Sequence, residues 1–243
     1  MDLSALNEII YKRLSHRKYK KGAIGEKRRE ALLTAFSEVK PLYPGIRTEL
    51  KLLSRDEVRS MMLWMPSDAV AIYSEECVGY LENAGFILQQ IDLFAQSIGL
   101  GTCWVGLAKP KGGATNDDGL GFVILLAIGE SEVPLRSGES DFKRKEYSDI
   151  SSLGEEMEQV LLPARLAPSS INSQPWYFSG SPEEIDVYQL NLVRTRGLTR
   201  MNRIDVGIAL AHLYVANPGS FSASVKENPP QRDGATYVTS LKI

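Results

Sequence analysis

Apolar positions recur along this chain at helical spacing in some stretches and as continuous strand-length runs in others. Leu3, Leu6, Ile9 and Ile10 give one apolar face to a short helix over residues 2–14, which runs into the basic stretch Arg13 to Lys21. A second helix is predicted over 26–40, ending before Pro41 because the residue ahead of a proline is pushed out of the helical region. Residues 68–75 have strand character. The strongest helical pattern covers 78–98, where Leu81, Ala84, Leu88, Ile91 and Ala95 form a stripe and Phe86 and Phe94 add apolar surface elsewhere. So little polar surface predicts burial on several sides, and Gly99 and Gly101 mark the stop. Residues 121–129 are apolar almost throughout, which predicts a strand inside a sheet. Residues 133–141 are polar and loop-like. There follow a helix over 155–166, a loop from Pro168 to Pro175, a strand over 176–179, a helix over 203–216 and a last strand over 235–243. Helices and strands without strict alternation predict an α+β fold.

The pattern also repeats. Gly25 to Ala35 aligns without gaps to Gly154 to Ala164, and the helix around Gly85 then pairs with the helix around Gly207. This predicts two related halves, 1–141 and 142–243, packed like the subunits of a dimer into one compact unit. A chance likeness between two amphipathic helices is the competing explanation. Extended upstream, the same register sets Phe142, Arg144 and Glu146 opposite Arg13, Ser15 and Arg17. Downstream, Ser37 to Tyr43 stands opposite the Ala-Pro-Ser-Ser-Ile-Asn-Ser stretch. Each half keeps what the other lacks, so the repeat predicts one complete site per chain.

Composition narrows the function classes. A formal net charge of -2 over 243 residues excludes the basic field of a nucleic-acid binder and the acidic excess of a disordered chain. Two cysteines and two histidines cannot assemble a usual zinc set, and Cys77 and Cys103 are expected to be buried, unbridged thiols. The first residues lack the basic and apolar regions of a secretory leader, and no run reaches the ~18 apolar residues of a membrane span. A cytoplasmic location is expected.

Two stretches carry candidate chemistry. Arg13, Ser15 and Arg17 stand two apart where a helix gives way to a loop, and in an extended segment alternate side chains share a face. Two planar guanidinium forks and a hydroxyl then converge on one anion, the geometry that suits phosphate oxygens. A solvated basic stretch before a helix is the plainer reading of the same residues. The second stretch, Ala167 to Trp176, sets Ser169, Ser170, Asn172, Ser173 and Gln174 between two stiffening prolines. Uncharged donors and acceptors fit a heterocycle edge better than a phosphate, although a helix-ending turn before a strand explains them too. Gly99-Leu-Gly101 follows a helix, not a strand, and lacks the later glycine of a dinucleotide fingerprint; no P-loop is present. Cys103 has no base nearby in sequence to make it a nucleophile. His16 is read either as a phosphate contact or as a solvent-facing residue between two arginines.

Taken together, Arg-Leu-Ser-His-Arg (13–17), Ser-Ile-Gly-Leu-Gly-Thr-Cys-Trp-Val-Gly (97–106) and Ala-Pro-Ser-Ser-Ile-Asn-Ser-Gln-Pro-Trp (167–176) resemble the nitroreductases. These are α+β enzymes that hold FMN between two subunits. The resemblance extends over about residues 9 to 216 and is greatest to single-chain members from thermophilic bacteria. It implies that Arg13, Ser15 and Arg17 bind the FMN phosphate, and that Pro168, Ser169, Ser170 and Asn172 contact the flavin. Backbone groups of Val105, Gly106 and Leu107 would lie against the ring. Arg144 resembles a late arginine that also reaches the phosphate, with Lys143 and Lys145 as alternatives if the register slips. It further implies electron transfer from NAD(P)H to a nitroaromatic, quinone or similar acceptor, with no side-chain acid or base evident and solvent supplying the proton. The alternative is a protein that stores or senses FMN with little reductase activity. Polar flavin contacts that ordinary members make between the loop and the long helix have no clear counterpart, residues 52–67 being short and apolar. An internal pseudo-dimer completes its own pocket, so a monomer is expected.

Overall fold

The computed structural model describes residues 1–192 and 196–243. A first part contains α1 (Leu3–Ile10), α2 (Glu26–Phe36), β1 (Thr48–Ser54), the short β2 (Val58–Ser60), β3 (Asp68–Ser74), α3 (Tyr80–Ser97), β4 (Gly101–Val105), the short β5 (Ala108–Pro110) and β6 (Gly121–Gly129). The remainder contains α4 (Tyr147–Ile150), α5 (Glu158–Arg165), β7 (Trp176–Ser181), β8 (Glu184–Leu190), α6 (Arg196–Ala216), β9 (Ser222–Ser224) and β10 (Ala235–Lys242).

Two four-stranded sheets form, in the orders β1-β3-β6-β4 and β7-β8-β10-β9, with every pairing antiparallel. With the β2–β5 ribbon set apart, both orders are first, second, fourth, third along the chain. In each, the long helix is the connection between second and third strands. The apolar run at 121–129 is an interior strand, as its pattern predicts, because both of its faces are covered. Ile124, Leu126 and Ile128 face the main core with α3, whereas Leu125 and Ala127 face a second cluster with Ala69, Ala71 and Val105.

The two long helices pack on each other, α3 also against the first sheet and α6 against the second. Fifteen of the residues of α3 are buried, so the expected burial on several sides holds, although Glu82, Asn83, Gln89, Gln90, Asp92 and Gln96 are among them. Their crossing is set by two glycines. A Cβ on Gly85 would meet the backbone of Ile204, and one on Gly207 would meet the backbone of Glu82. Gly99, with φ +80°, ends α3 in the left-handed conformation glycine tolerates best.

Several boundaries differ from the sequence pattern, each for a local reason. The first helix stops at Ile10, where the N–H groups of Lys12 and Arg13 both turn back to the Ile9 carbonyl and the chain then extends alongside β4. The second stops at Phe36 because the Ser37 hydroxyl donates to the Thr34 carbonyl and caps the last turn. α6 begins about two turns before residue 203; in those turns only Leu198 and Met201 are apolar, and Gly197 and Thr199 are poor helix formers. Strands β1, β4 and β8 lie outside the elements predicted from the sequence, although Glu49-Leu50-Lys51-Leu52 and Glu184-Ile185-Asp186-Val187 alternate polar and apolar residues. Cys103 is buried, but Cys77 is exposed, correcting the expectation of two buried thiols; both are free.

Candidate functional site

A cavity of about 680 Å³ opens where residues distant in sequence meet. Ser15 and Arg17 follow α1; Cys103, Trp104, Gly106 and Leu107 come from the end of β4; Pro168 to Ile171 follow α5. The opposite wall is the first half of α6, with Leu198, Met201, Asp205 and Ile208. Its size falls within the usual range for small-molecule sites, and its walls are mainly apolar. At Gly106 a Cβ would lie 3.4 Å from the Met201 sulfur, so a bare backbone here leaves the cavity open between strand end and helix.

Of the residues singled out in the sequence, Ser15, Arg17, Gly106, Leu107, Pro168, Ser169 and Ser170 line this cavity. Arg13, Val105, Arg144 and Asn172 are not among its lining residues. Val105 alternates away from Trp104 along β4 and joins the cluster on the far face of the sheet. Arg13 is only 1% exposed and is committed to Asp92, its Nε 3.0 Å from Oδ2; its Nη2 reaches back to Ser15 Oγ at 3.5 Å. Asn172 bridges Arg144, whose Nη1 donates to its Oδ1 at 3.1 Å, and Lys143, whose carbonyl accepts from its Nδ2 at 3.1 Å.

Behind Ser15 and the 168–172 loop lies a cluster of cations. Burial and the neighbouring Arg13 and Arg136 charges push Arg144 down to about 9. Arg136 is likewise lowered by burial and by Arg13, while it donates to the Arg13 carbonyl and stacks on Phe142 at 4.2 Å. Arg144 Nε is buried without a hydrogen-bond partner. Three mutually repelling guanidinium groups, with one unsatisfied N–H, make a site that an anion would stabilise. Of the three candidates at 143–145, Lys143 is exposed, Lys145 donates to the Gln174 carbonyl, and Arg144 is the one within this cluster.

The loop itself is held in an unusual backbone. Ile171 (φ 49°), Asn172 (φ 58°) and Gln174 (φ 46°) are the positive-φ non-glycine residues among those described. Such conformations cost on the order of 1 kcal/mol or more each and persist only when surroundings enforce them. Gln174 supplies much of the enforcement: its N–H donates to Ser169 Oγ (2.9 Å), its Oε1 accepts from the Lys145 N–H (2.8 Å), and its Nε2 donates to the Asn172 carbonyl (3.2 Å). The polar side chains at 172 and 174 thus hold the loop's shape, while Ser169 and Ser170 face the cavity.

Beneath the site runs a buried polar network on α3. Burial would raise Asp92, but the Arg13 charge and hydrogen bonds from Thr102 and Gln89 outweigh it and hold the carboxyl below its ordinary value. Gln89 Nε2 also reaches His212 Nε2 at 3.1 Å. Since His212 Nδ1 faces the Pro163 carbonyl at 2.8 Å, it must carry the ring proton, leaving Nε2 as acceptor. Burial pushes His212 down to about 3, so it is neutral. His16 is buried, not solvent-facing, with its Nδ1 3.4 Å from the Thr102 N–H. Burial raises the Cys103 thiol, partly offset by Arg17 and Arg13.

Sequence reasoning missed the α6 wall, Asp205 above all. Its Oδ2 accepts the Ser170 N–H at 3.0 Å, and burial pushes the carboxyl up to about 8. The available signal was a lone acid inside the apolar run Ile204-Asp205-Val206-Gly207-Ile208. Residues 52–67 do not line the cavity; Leu53, Val58, Met62, Trp64 and Met65 cover the far face of the first sheet. The segment between the 168–175 loop and the long helix that follows it is β7, β8 and the start of α6, of which 193–195 lie outside the described residues. A second cavity, about 420 Å³, lies at the start of α3, bounded by Tyr43, Gly79 and the Glu82–Arg203 ion pair. Among the described residues no group of His, Cys, Asp or Glu is arranged to hold a metal, and no helix is long and apolar enough to cross a membrane.

An α+β framework with an apolar cavity and a cation cluster behind it defines a protein suited to a small molecule that bears an anionic group. The family model described as "Putative TM nitroreductase" matches residues 5–217, and the chain belongs to that family. It is similar to the crystal structure of a "putative nitroreductase" from Thermotoga maritima MSB8, at 20% identity and TM-score 0.65, covering 98% of this chain and 93% of that one. A nitroreductase family protein from Clostridium difficile 630 matches at 16% identity and TM-score 0.46, over 61% of this chain and 96% of that one. A "putative nitroreductase in complex with FMN" from Desulfovibrio desulfuricans matches at 12% identity and TM-score 0.41, over 61% of this chain and 94% of that one. None of the curated proteins matches the chain.

Proposed function

We propose that this chain holds one FMN in the 680 Å³ cavity and passes electrons from NAD(P)H to an electron-poor acceptor such as a nitroaromatic or quinone. The observation that carries the reading is the convergence of Ser15 and Arg17 with Ser169 and Ser170 on one apolar cavity, backed by an arginine cluster with an unsatisfied N–H. The residues fit the group. Ser15 and Arg17, with Arg13 and Arg144 behind them, would hold a dianionic phosphate, and that charge would offset the burial and the neighbouring cations that lower Arg144. Apolar Trp104, Leu107, Met201 and Ile208 would exclude water from a planar ring, and the rigid 168–171 backbone would offer it polar edges. FMN would supply the hydride and electron chemistry, which the protein's own side chains do not have.

The repeated strand order supports one further element, an internal pseudo-dimer of 1–141 and 142–243. Both sheets share the first-second-fourth-third order, the long helices cross at equivalent glycines, and the smaller cavity at Tyr43 and Glu82 lies where a second site would fall. One FMN per chain and a monomer are the consequences. Purified protein should be yellow, or bind FMN when reconstituted, at one per chain. It should oxidise NADH or NADPH with nitrofurazone or menadione. A colourless protein that takes up no FMN refutes the reading. Bound FMN that stays oxidised on stopped-flow mixing with NAD(P)H shows a storage or sensing protein instead.

A further inference from the structure

Five acids are buried among the described residues: Asp68, Glu82, Asp92, Asp186 and Asp205. The first four each have a cation, respectively Arg29, Arg203, Arg13 and Lys226. Asp205 is 4% exposed and has no cation among the described residues, although it stands on the cavity wall. Among the described residues, its side chain accepts one hydrogen bond, from the Ser170 backbone.

That bond does not require a carboxylate. Asn83 stands two residues before Gly85 on α3, just as Asp205 stands two before Gly207 on α6. Asn83 Oδ1 accepts the backbone N–H of Tyr43 at 3.0 Å, from the segment after α2. Asp205 accepts that of Ser170 at 3.0 Å, from the segment after α5. An amide serves the same anchoring purpose in one place, and an acid stands beside the larger cavity in the other.

We propose that Asp205 remains protonated on the cavity wall and donates a hydrogen bond to an acceptor atom of the bound flavin, so that binding requires this proton. The inference rests on the FMN reading above. A neutral carboxyl is the state favoured by burial without a counter-charge, and burial is the dominant influence on this group. Arg17 and Cys103 line the same cavity. On the elements packed around α6, Glu82 and Asp92 of α3 are paired with Arg203 and Arg13, and Arg165 of α5 is paired with Glu146 and Glu158. Glu8 and Tyr11 belong to or follow α1, and Tyr177 and Asp186 to the second sheet. On α6 itself, among the described side chains, are Arg200, Arg203, His212 and Tyr214. None forms an ion pair or hydrogen bond with Asp205. A carboxyl kept neutral at pH 7 can donate where a carboxylate can only accept.

The test is FMN affinity against pH, by fluorescence quenching of apo-protein between pH 6.5 and 9, for the native protein and Asp205→Asn. The phosphate is already largely dianionic there, its second ionisation lying near pH 6. Native affinity should fall by up to about tenfold per pH unit once Asp205 ionises. Asp205→Asn, which keeps both an acceptor for Ser170 and an N–H donor, should stay level to about pH 8 and above it show only the fall that Arg144, pushed down to about 9, imposes on both proteins. Carbon-13 carboxyl NMR of the native protein, with the Asp205 signal found by its absence in the variant, should show ionisation well above the ordinary aspartate range, moving higher with FMN bound. FMN binding with the same profile in both proteins overturns the Asp205 role alone, as does a carboxyl already ionised at pH 7. No FMN binding at any pH overturns the FMN reading and this inference together.

Discussion

Gly207→Ala tests whether the crossing of the two long helices is as tight as its backbone contacts imply. A Cβ at 207 would lie 2.8 Å from the Glu82 carbonyl carbon and 2.9 Å from its Cα, nearer still to the carbonyl oxygen. Ordinary contacts begin at about 3.4 Å, and neither partner is a flexible side-chain tip that can swing aside, so the helices must part by roughly 1 Å. A gap of 0.5–1 Å forfeits about a quarter to a half of the dispersion energy at each contact it opens. Ala84, Leu88, Ile91, Ile204, Ile208 and Ala211 all belong to the core that would loosen. Overpacking of this kind costs typically about 1–3 kcal/mol, and the upper end applies where backbone meets backbone. A loss of about 3 kcal/mol in urea unfolding at unchanged m-value is expected. Gly85→Ala should behave alike, because its Cβ would meet Ile204 from the other side. One separation relieves both clashes, so the double variant should lose less than the sum. A loss under about 1 kcal/mol for either variant, or strict additivity, refutes the reasoning.

Three further outcomes are expected. Asp92→Asn strands the buried Arg13 charge and should cost about 3–5 kcal/mol in denaturant unfolding. Since Asp92 is held below its unfolded value, the native protein also loses this contribution as pH falls through the folded value, and unfolding of the variant in acid should be correspondingly flatter. For Asp205 the sign is opposite: the folded carboxyl keeps its proton up to about pH 8 while the unfolded one loses it near the ordinary value. Native apo-protein should therefore lose stability relative to Asp205→Asn by up to about 1.4 kcal/mol per pH unit between those limits, which paired thermal melts from pH 4 to 8 would show. Arg17→Glu should weaken FMN binding by at least ~1.5 kcal/mol, through lost charge-assisted hydrogen bonding and added repulsion; unchanged affinity on titration would remove Arg17 from the phosphate assignment.

The long, strongly patterned elements were legible in the sequence because burial on one or both faces leaves a direct imprint. The helix at 78–98 and the strand at 121–129 are cases in point, observed at Tyr80–Ser97 and Gly121–Gly129. The start of α6 was not legible, because Gly197 and Thr199 favour helix poorly and Leu198 and Met201 are too short an apolar pattern to extend the helix upstream. At the site, the short motifs around Ser15 and Ser169 were readable because their residue types announce anion and amide chemistry. What those motifs hid was division of labour: Arg13 is turned inward to Asp92, and Asn172 and Gln174 lock a strained loop. Asp205 escaped notice because a single acid in an apolar helix acquires meaning only from what surrounds it. Its loss of counter-charge is a property of packing, not of spacing.

The α3–α6 pair also has a consequence in time. Helix α3 is complete at Ser97, yet α6, which covers it, begins only at Arg196, about a hundred residues later. At roughly 5–20 residues per second, a ribosome leaves that interval open for several seconds or more. Throughout it, the growing chain carries a long helix, fifteen of whose residues are buried in the finished fold, with no second helix to receive it. Chains interrupted before residue 196 would therefore expose the surface most prone to association, and would lack one wall of the cavity. Slower translation or scarcer chaperones should lower the soluble yield of this protein, because residues 98–216 must be delivered before α6 can cover α3.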